Sequence, residues 1–337
     1  MSVLFAGVKT DFFEFLALSP GYWVAPTVGV EAGYCDGGLE LRDGGPRQRL
    51  NLKSDPVGVM WTHMKIARPG YQSDSRIDGY FMGWYDGAGN LLARADVSNG
   101  DWRVQVFGDT TVSGSLAGQD TTTSITASQW DFELNVTATD ITFTWYVNRI
   151  AISSATVANA TAGNGPCRSI TWDMSTAMFS TTYAGRWRMS ELIITDNDED
   201  PSEWRLAHLP LSASGTYNQW TGSYLNADDN DDATTLFTDQ VGQRSSWALG
   251  SLDPAVLQDG QVIAAVVHVT SGSGTDNNYL DVASSLRMGG VDYDGAFQKI
   301  TDANTCCEVW DVNPATGVSW EFSDITSLEV GIVSSGT

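Results

Sequence analysis

Histidine is the scarcest chemically versatile residue in this chain: His63, His208 and His268 are the three in 337 residues. None stands at a metal-ligand spacing from another or beside a cysteine. Neither a zinc site nor a Ser-His-Asp arrangement is therefore expected, and each is read as a satisfied surface or core-edge histidine. Cysteine is almost as rare, at four residues, too few for a disulfide scaffold in a chain of this length. Cys306 and Cys307 are adjacent, where a bridge would be strained, so two free thiols in or beside a strand are expected. Basic residues are also short, 18 against 41 acidic ones, for a net charge of −23. Such a surface repels nucleic-acid phosphates and anionic bilayers and keeps free copies soluble. Long apolar runs are missing too. The longest, VIAAVVHV from Val262, falls far short of the roughly 20 residues of a spanning helix. The opening MSVLFAGVKTDFFEF has no basic stretch before its apolar residues, so no secretory signal is expected.

What the chain does have is material for cores: 42% hydrophobic residues, with thirteen Trp and twelve Phe. Its length suggests two domains. Alternation with period two dominates. In WDFELNV, Trp130, Phe132, Leu134 and Val136 share one face, and Asp131, Glu133 and Asn135 the other. Residues 141–147 (ITFTWYV) and 101–107 (DWRVQVF) read the same way, and clusters such as DGAGN and SNGD separate such runs at hairpin spacing. The expected class is all-β, built as two β-sandwich, jelly-roll-like domains with one short helix at the domain edge. That helix is PSEWRLAHL, with Asp200 as N-cap, Pro201 at the first helical position, Glu203 as capping-box partner and Pro210 as terminator. The polar stretch after it reads as a linker or long loop. The expected division is 1–209 and 210–337, with no internal repeat of the propeller or solenoid kind.

Several constellations could carry chemistry. Asp131 and Glu133 have the i, i+2 spacing with which jelly-roll glycosidases aim acids into a cleft. The third position is Asn135, and solvent-facing polar residues on an amphipathic strand give the same pattern, so no catalytic residue is assigned. The acidic runs TDNDED (195–200) and NADDNDD (226–232) offer hard oxygen ligands of the kind calcium takes, yet neither follows the twelve-residue EF-hand pattern. Solvated loops are the expected outcome, with no cofactor and calcium left open. Trp84 and Tyr85 in GWYDGAG could stack on sugar rings with Asp86 accepting hydroxyl hydrogens; core or interface roles compete. In EVWDVNPATGVSW, Pro314 sets φ and Gly317 permits a positive one. The segment is read as a structural turn over which Trp310 and Trp320 pack.

Residues 1–208, through VGVMWTHMKIA, GYFMGWYDGAGNLLARADVSNGDWRVQVFG, FTWYVNRIAIS and RWRMSELIITDND, resemble concanavalin A-like (laminin-G-like) jelly rolls. The second half, through QWTGSYLNADD, SLRMGGVDYDG and EVWDVNPATGVSWEFSDITSLEVGI, resembles the end of a family of tailed-bacteriophage and prophage virion proteins. In that family a lectin-like sandwich is followed by a small β-domain closing with an Asn-Pro-x-Thr-Gly-x-x-Trp loop and a Gly-Ile/Val strand. Asn313, Pro314, Thr316, Gly317, Trp320, Gly331 and Ile332 match that pattern, and the opening MSVLFAG is similar to the start of such proteins. The resemblance implies a non-enzymatic structural component of a virion, made in the bacterial host cytoplasm and exposed on tail or head as fibre, spike or decoration. It implies contacts with other virion proteins and a homo-oligomer, with host-surface glycan as a further partner, and no nucleic acid or membrane insertion. A carbohydrate-binding host-receptor module is the alternative, and a polysaccharide depolymerase a more distant one.

Overall fold

The computed structural model describes residues 3–7, 39–42, 48–52, 54–67, 79–98, 101–115, 128–172, 186–204, 206, 209–228, 236–250, 263–272, 281–299 and 304–335. The chain divides into two compact units, Met1–Leu206 and Ala207–Thr337.

The first unit contains β1 (Val3–Gly7), β2 (Leu39–Arg42), β3 (Gln48–Asn51), β4 (Met60–Ala67), β5 (Gly79–Asp86), β6 (Leu91–Ser98) and β7 (Asp101–Phe107). It continues with β8 (Thr111–Ser115), β9 (Ser128–Val136), β10 (Asp140–Val147), β11 (Ile150–Ala158), β12 (Cys167–Trp172) and β13 (Arg186–Thr195). A seven-stranded sheet runs β1-β13-β4-β9-β10-β11 with β2 also on β13, and a six-stranded sheet runs β3-β12-β5-β6-β7-β8. The alternation read in the sequence decides which side chains meet between them. Phe132 of β9 and Phe143 of β10 lie at ring-centroid distances of 4.9 and 4.6 Å from Trp84, which reaches across from β5. Trp130 and Trp145 meet edge-on at 4.8 Å. These five rings and Trp172 are all at most 1% exposed. Burial on this scale, about 25 cal/mol per Å² of apolar surface, is what holds the two layers together.

At one edge the layers are sewn directly. Ser153 Oγ of β11 donates to the Gly114 carbonyl of β8 at 2.9 Å. A Cβ on Gly114 would stand 2.5 Å from the Ser154 carbonyl oxygen, so only glycine permits this approach.

The second unit contains β14 (Leu211–Asn218), α1 (Leu225–Asp228), β15 (Arg244–Leu249), β16 (Val266–Gly272), β17 (Asp281–Met288) and β18 (Val291–Asp294). After these come β19 (Gln298–Lys299), β20 (Asn304–Trp310), α2 (Phe322–Thr326) and β21 (Glu329–Ser335). Its main sheet runs β14-β15-β21-β17-β18 with β19 also on β17, and β16 and β20 form a separate two-stranded ribbon. One face of the main sheet packs Trp247, Leu286, Val330 and Ile332 into a core shared with Val266, Trp320, Ile325 and Leu328. The protein is all-β. No described helix is long and apolar enough to cross a membrane.

The helix expected over 201–209 does not form in the described part of that stretch. Asp200 does cap, its Oδ1 accepting from the Ser202 N–H at 2.8 Å, and the Trp204 N–H reaches the Pro201 carbonyl to close one turn. The chain then leaves the helical path because the Leu206 N–H donates to Glu191 Oε1 at 2.8 Å. Glu203 pairs with Arg149 at 2.5 Å. Tertiary partners outcompete the capping box. The capping box that is present belongs to α2, where Glu321 and Asp324 exchange backbone and side-chain bonds.

Candidate functional site

The outer face of the seven-stranded sheet collects the polar residues of β4, β9, β10 and β13. Cross-strand register sets His63 beside Asp131 and Trp61 beside Glu133. The expectation that Asp131 faces solvent is corrected here. Asp131 is 1% exposed and His63 0%, with Nδ1 and Oδ1 2.6 Å apart. Gln129 Nε2 donates to Asp131 Oδ2 at 2.8 Å and to the Ser202 carbonyl at 2.7 Å, so the 199–204 segment lies over this face. His63 is accordingly a fully buried, carboxylate-paired histidine. His208 lies outside the described residues.

Next to this pair stands a second one. Lys65 Nζ is 2.5 Å from Glu191 Oε2, and the Glu191 side chain is 0% exposed. Glu191 occupies a break in the β13–β4 register and takes φ 54°, the left-handed region, where a bulge can re-aim a side chain. Its other oxygen receives the Leu206 N–H. Buried charges of this kind survive only when paired and hydrogen-bonded.

Glu133, the other half of the candidate carboxylate pair, accepts from the Tyr146 hydroxyl at 2.6 Å. Burial and that bond hold the Tyr146 phenol well above its ordinary pKa, and its ring lies 5.4 Å from that of Trp61. Asp131 and Glu133 thus share a face as the alternation implies, and each is committed to a partner inside the sheet. The missed residues are their partners. His63 lies directly across from Asp131 on β4. Tyr146 of β10 is in register with Asp131 and reaches Glu133 diagonally, and Gln129 stands two residues before Asp131 on β9 itself. The first two relations are visible only once strands are paired.

The three residues proposed to meet a sugar divide differently. Trp84 is 0% exposed and its Nε1 donates to Thr62 Oγ1 at 3.2 Å, so its indole is a core element between the sheets. Asp86, 3% exposed, accepts from the backbone N–H groups of Ala88 and Asn90 and from Asn90 Nδ2, organising the β5–β6 turn. Tyr85 alone remains half-buried. The reason for the correction is parity: Trp84 falls on the inward side of β5, opposite Ile170 of β12 and Ala93 of β6.

Two carboxylates of the first acidic run are occupied by backbone donors. Asp196 Oδ2 and Asp198 Oδ1 each accept a backbone N–H, from Val57 and Val59, at 3.0 Å. Asn226 and Ala227 belong to α1, and residues 229–232 lie outside the described residues. Among the described residues no group of three or more His, Cys, Asp or Glu side chains is placed to hold a metal ion. Cys306 and Cys307 pair in backbone register with Thr270 and Val269 within β20; their side chains lie outside the described residues.

The NPATG turn takes the shape its residues specify. Asn313, 1% exposed, accepts the Ala315 N–H on Oδ1 at 2.8 Å, and its carbonyl receives the N–H groups of Thr316 and Gly317. Gly317 has φ 72°. Trp320 is 3% exposed and its Nε1 donates to the Trp310 carbonyl at 2.7 Å, pinning the two arms together. Trp320 leads into α2 and not directly into a strand.

No protein-family model matches the chain, and no curated protein does. Among solved structures, it is similar to the conserved carbohydrate esterase of Shiga toxin-encoding bacteriophage phi24B. That match has 11% identity and a TM-score of 0.36, covering 58% of this chain and 99% of that one. The binding domain of botulinum neurotoxin DC gives 8% identity and a TM-score of 0.37, covering 80% of this chain and 67% of that one. A tetrameric galectin from the ball sponge Cinachyrella gives 12% identity and 0.29, over 44% and 97%. Likeness at this level carries no argument about the chemistry of this chain.

Proposed function

We propose that the chain is a non-enzymatic structural component of a tailed-phage particle, exposed on tail or head and assembled with other virion proteins as a homo-oligomer. The observation that carries the non-enzymatic part is the commitment of the candidate acids. A glycosidase needs one carboxyl free to protonate a leaving group and a second free to act as base or nucleophile. Asp131 is sealed between His63 and Gln129, and Glu133 holds Tyr146. Side chains spent in this way make a rigid sheet, the property an architectural part requires. The virion assignment itself rests on the resemblance carried by Asn313, Pro314, Thr316, Gly317, Trp320, Gly331 and Ile332. Closed rotational symmetry would satisfy every interface of such an appendage at once.

The test is incorporation. Particles purified from the bacterium that encodes the chain are separated from free protein on a density gradient. They are then probed with antibody raised against the recombinant chain, by blot and by immunoelectron microscopy. The expected result is the polypeptide banding with the particles and label on a fixed tail or head feature. Antigen found solely in the free-protein fraction ends the reading.

A further inference from the structure

On the outer face of the second unit's main sheet, three small residues stand side by side on the central strands. Gly331 of β21 is in register with Ser246 of β15 on one side and Ser285 of β17 on the other. A Cβ on Gly331 would run into the Ser245 carbonyl, so this floor stays bare. Longer side chains rise around it: Tyr217 from β14, Arg244 from β15, Arg287 from β17, Asp292 from β18 and Glu329 from β21. They enclose a recess of about 10 Å³, room for one hydroxyl or water-sized group.

The rim is fixed by mutual pairing. Arg244 grips Asp294 with both terminal nitrogens, at 2.7 and 2.5 Å. Arg287 Nη1 reaches Asp292 at 2.6 Å and the Tyr217 hydroxyl at 3.3 Å, while that hydroxyl donates to the other Asp292 oxygen at 2.8 Å. The Arg287 guanidinium also lies over the Tyr217 ring, 5.1 Å from its centroid. Glu329 receives the Ser246 hydroxyl at 2.7 Å and the Thr216 N–H at 2.8 Å. The four side chains of the two ion pairs keep between 19% and 26% exposure, so they are held and still open to solvent.

We infer that this recess is a binding site for an uncharged sugar ring, a neutral hexose of a polysaccharide. Its rim mixes donors (Arg244, Arg287) with acceptors (Asp292, Glu329), and Asp294 holds Arg244 beside them. A sugar hydroxyl donates and accepts at once and so matches such a rim. An anion has acceptors alone and competes with the three carboxylates, and a cation competes with the two guanidiniums. The net charge of −23 adds a long-range penalty for acidic saccharides. One hydroxyl fills the recess over Gly331, and the ring lies across the rim groups that are already oriented, which keeps the ordering cost low. The site belongs to the second unit and does not depend on particle incorporation.

The full chain is mixed in turn with the methyl glycosides of glucose, galactose and mannose, with glucuronate and with glucosamine. Saturation-transfer NMR reads contact. Transfer to at least one neutral glycoside is expected, with affinity in the millimolar range and no transfer to glucuronate. Arg287→Gln and Tyr217→Ala, each verified as folded by thermal unfolding, should weaken that binding by about tenfold, as loss of a hydrogen bond to a charged group does. Absence of transfer to all three neutral glycosides overturns the inference. So does preference for a charged sugar, or undiminished binding in both variants.

Discussion

His63 and Asp131, on neighbouring strands β4 and β9, hold each other at 2.6 Å with essentially no water contact. In a jelly roll read for catalysis, Asp131 would be the acid to watch; here it is a buried anchor. Asp131→Asn removes the charge from this bond and leaves His63 with a weaker partner. The change is expected to lower stability by about 2 kcal/mol, the scale of a hydrogen bond to a charged group. Urea denaturation followed by tryptophan fluorescence measures it. The Asp131→Asn, Glu133→Gln double variant also decides the depolymerase alternative. Wild type is expected to release no reducing ends from host-surface polysaccharide, and a release that the double variant abolishes would sink the architectural reading.

Trp84→Ala separates core from ligand contact. A sugar-stacking indole could be removed at little cost to folding. Trp84 instead fills the space between Phe132 and Phe143, and its loss is expected to cost about 3–5 kcal/mol. Tyr85→Ala, at a half-buried position, should cost much less. Paired melting curves of the two variants give the comparison.

Gly114→Ala introduces one methyl group where β8 and β11 approach. The Ser154 carbonyl is backbone and cannot rotate away, so the edge must open. A drop of about 1–3 kcal/mol is expected, the range of overpacking substitutions. Gly87→Ala, with open space around its Cβ, serves as the control and should leave the midpoint nearly unchanged.

The architecture was legible from alternation because one rule, successive residues on opposite faces, decides both strand and burial. Phe132, Phe143 and Trp145 were placed by parity alone. The rule fails where a face that looks polar is covered by more of the chain. Asp131 and Asn135 occupy one face of β9, yet Asp131 is buried beside Gln129, which binds the Ser202 carbonyl, whereas Asn135 is half-buried. The 201–209 stretch reads as a helix because Asp200, Pro201 and Glu203 carry local signals for one. Leu206 is drawn to Glu191, 15 residues away, and no local pattern announces such a partner. The recess over Gly331 was invisible for the same reason: Ser246, Ser285 and Gly331 meet only when β15, β17 and β21 are paired.

Cys167 tests burial directly. Its side chain is 2% exposed, and desolvation pushes the thiol up to about 12. Because the thiolate is the reactive form, Cys167 should resist iodoacetamide at neutral pH in the native protein and react once urea unfolds the first unit. Peptide mass spectrometry across a urea series reads the labelling, which should follow the fluorescence transition. Labelling of the native protein at the rate of an exposed thiol would contradict the packing described.

His268, in β16 and in register with Glu308 of β20, gives the pH dependence. Burial pulls its pKa from 6.5 to about 4. Between those values the unfolded chain takes up a proton that the folded chain refuses, so acidification favours unfolding. The stabilising contribution is complete above about pH 6.5 and is lost as pH falls toward 4. Carboxylate titration and relief of the overall negative charge act over the same range, so the wild-type curve alone cannot isolate this residue. His268→Gln removes this single titration. The stability difference between variant and wild type should therefore shift in favour of the variant from pH 7 to pH 4.5, measured by urea midpoints at fixed ionic strength. A difference that stays flat across that interval would show that His268 is not kept neutral by the fold.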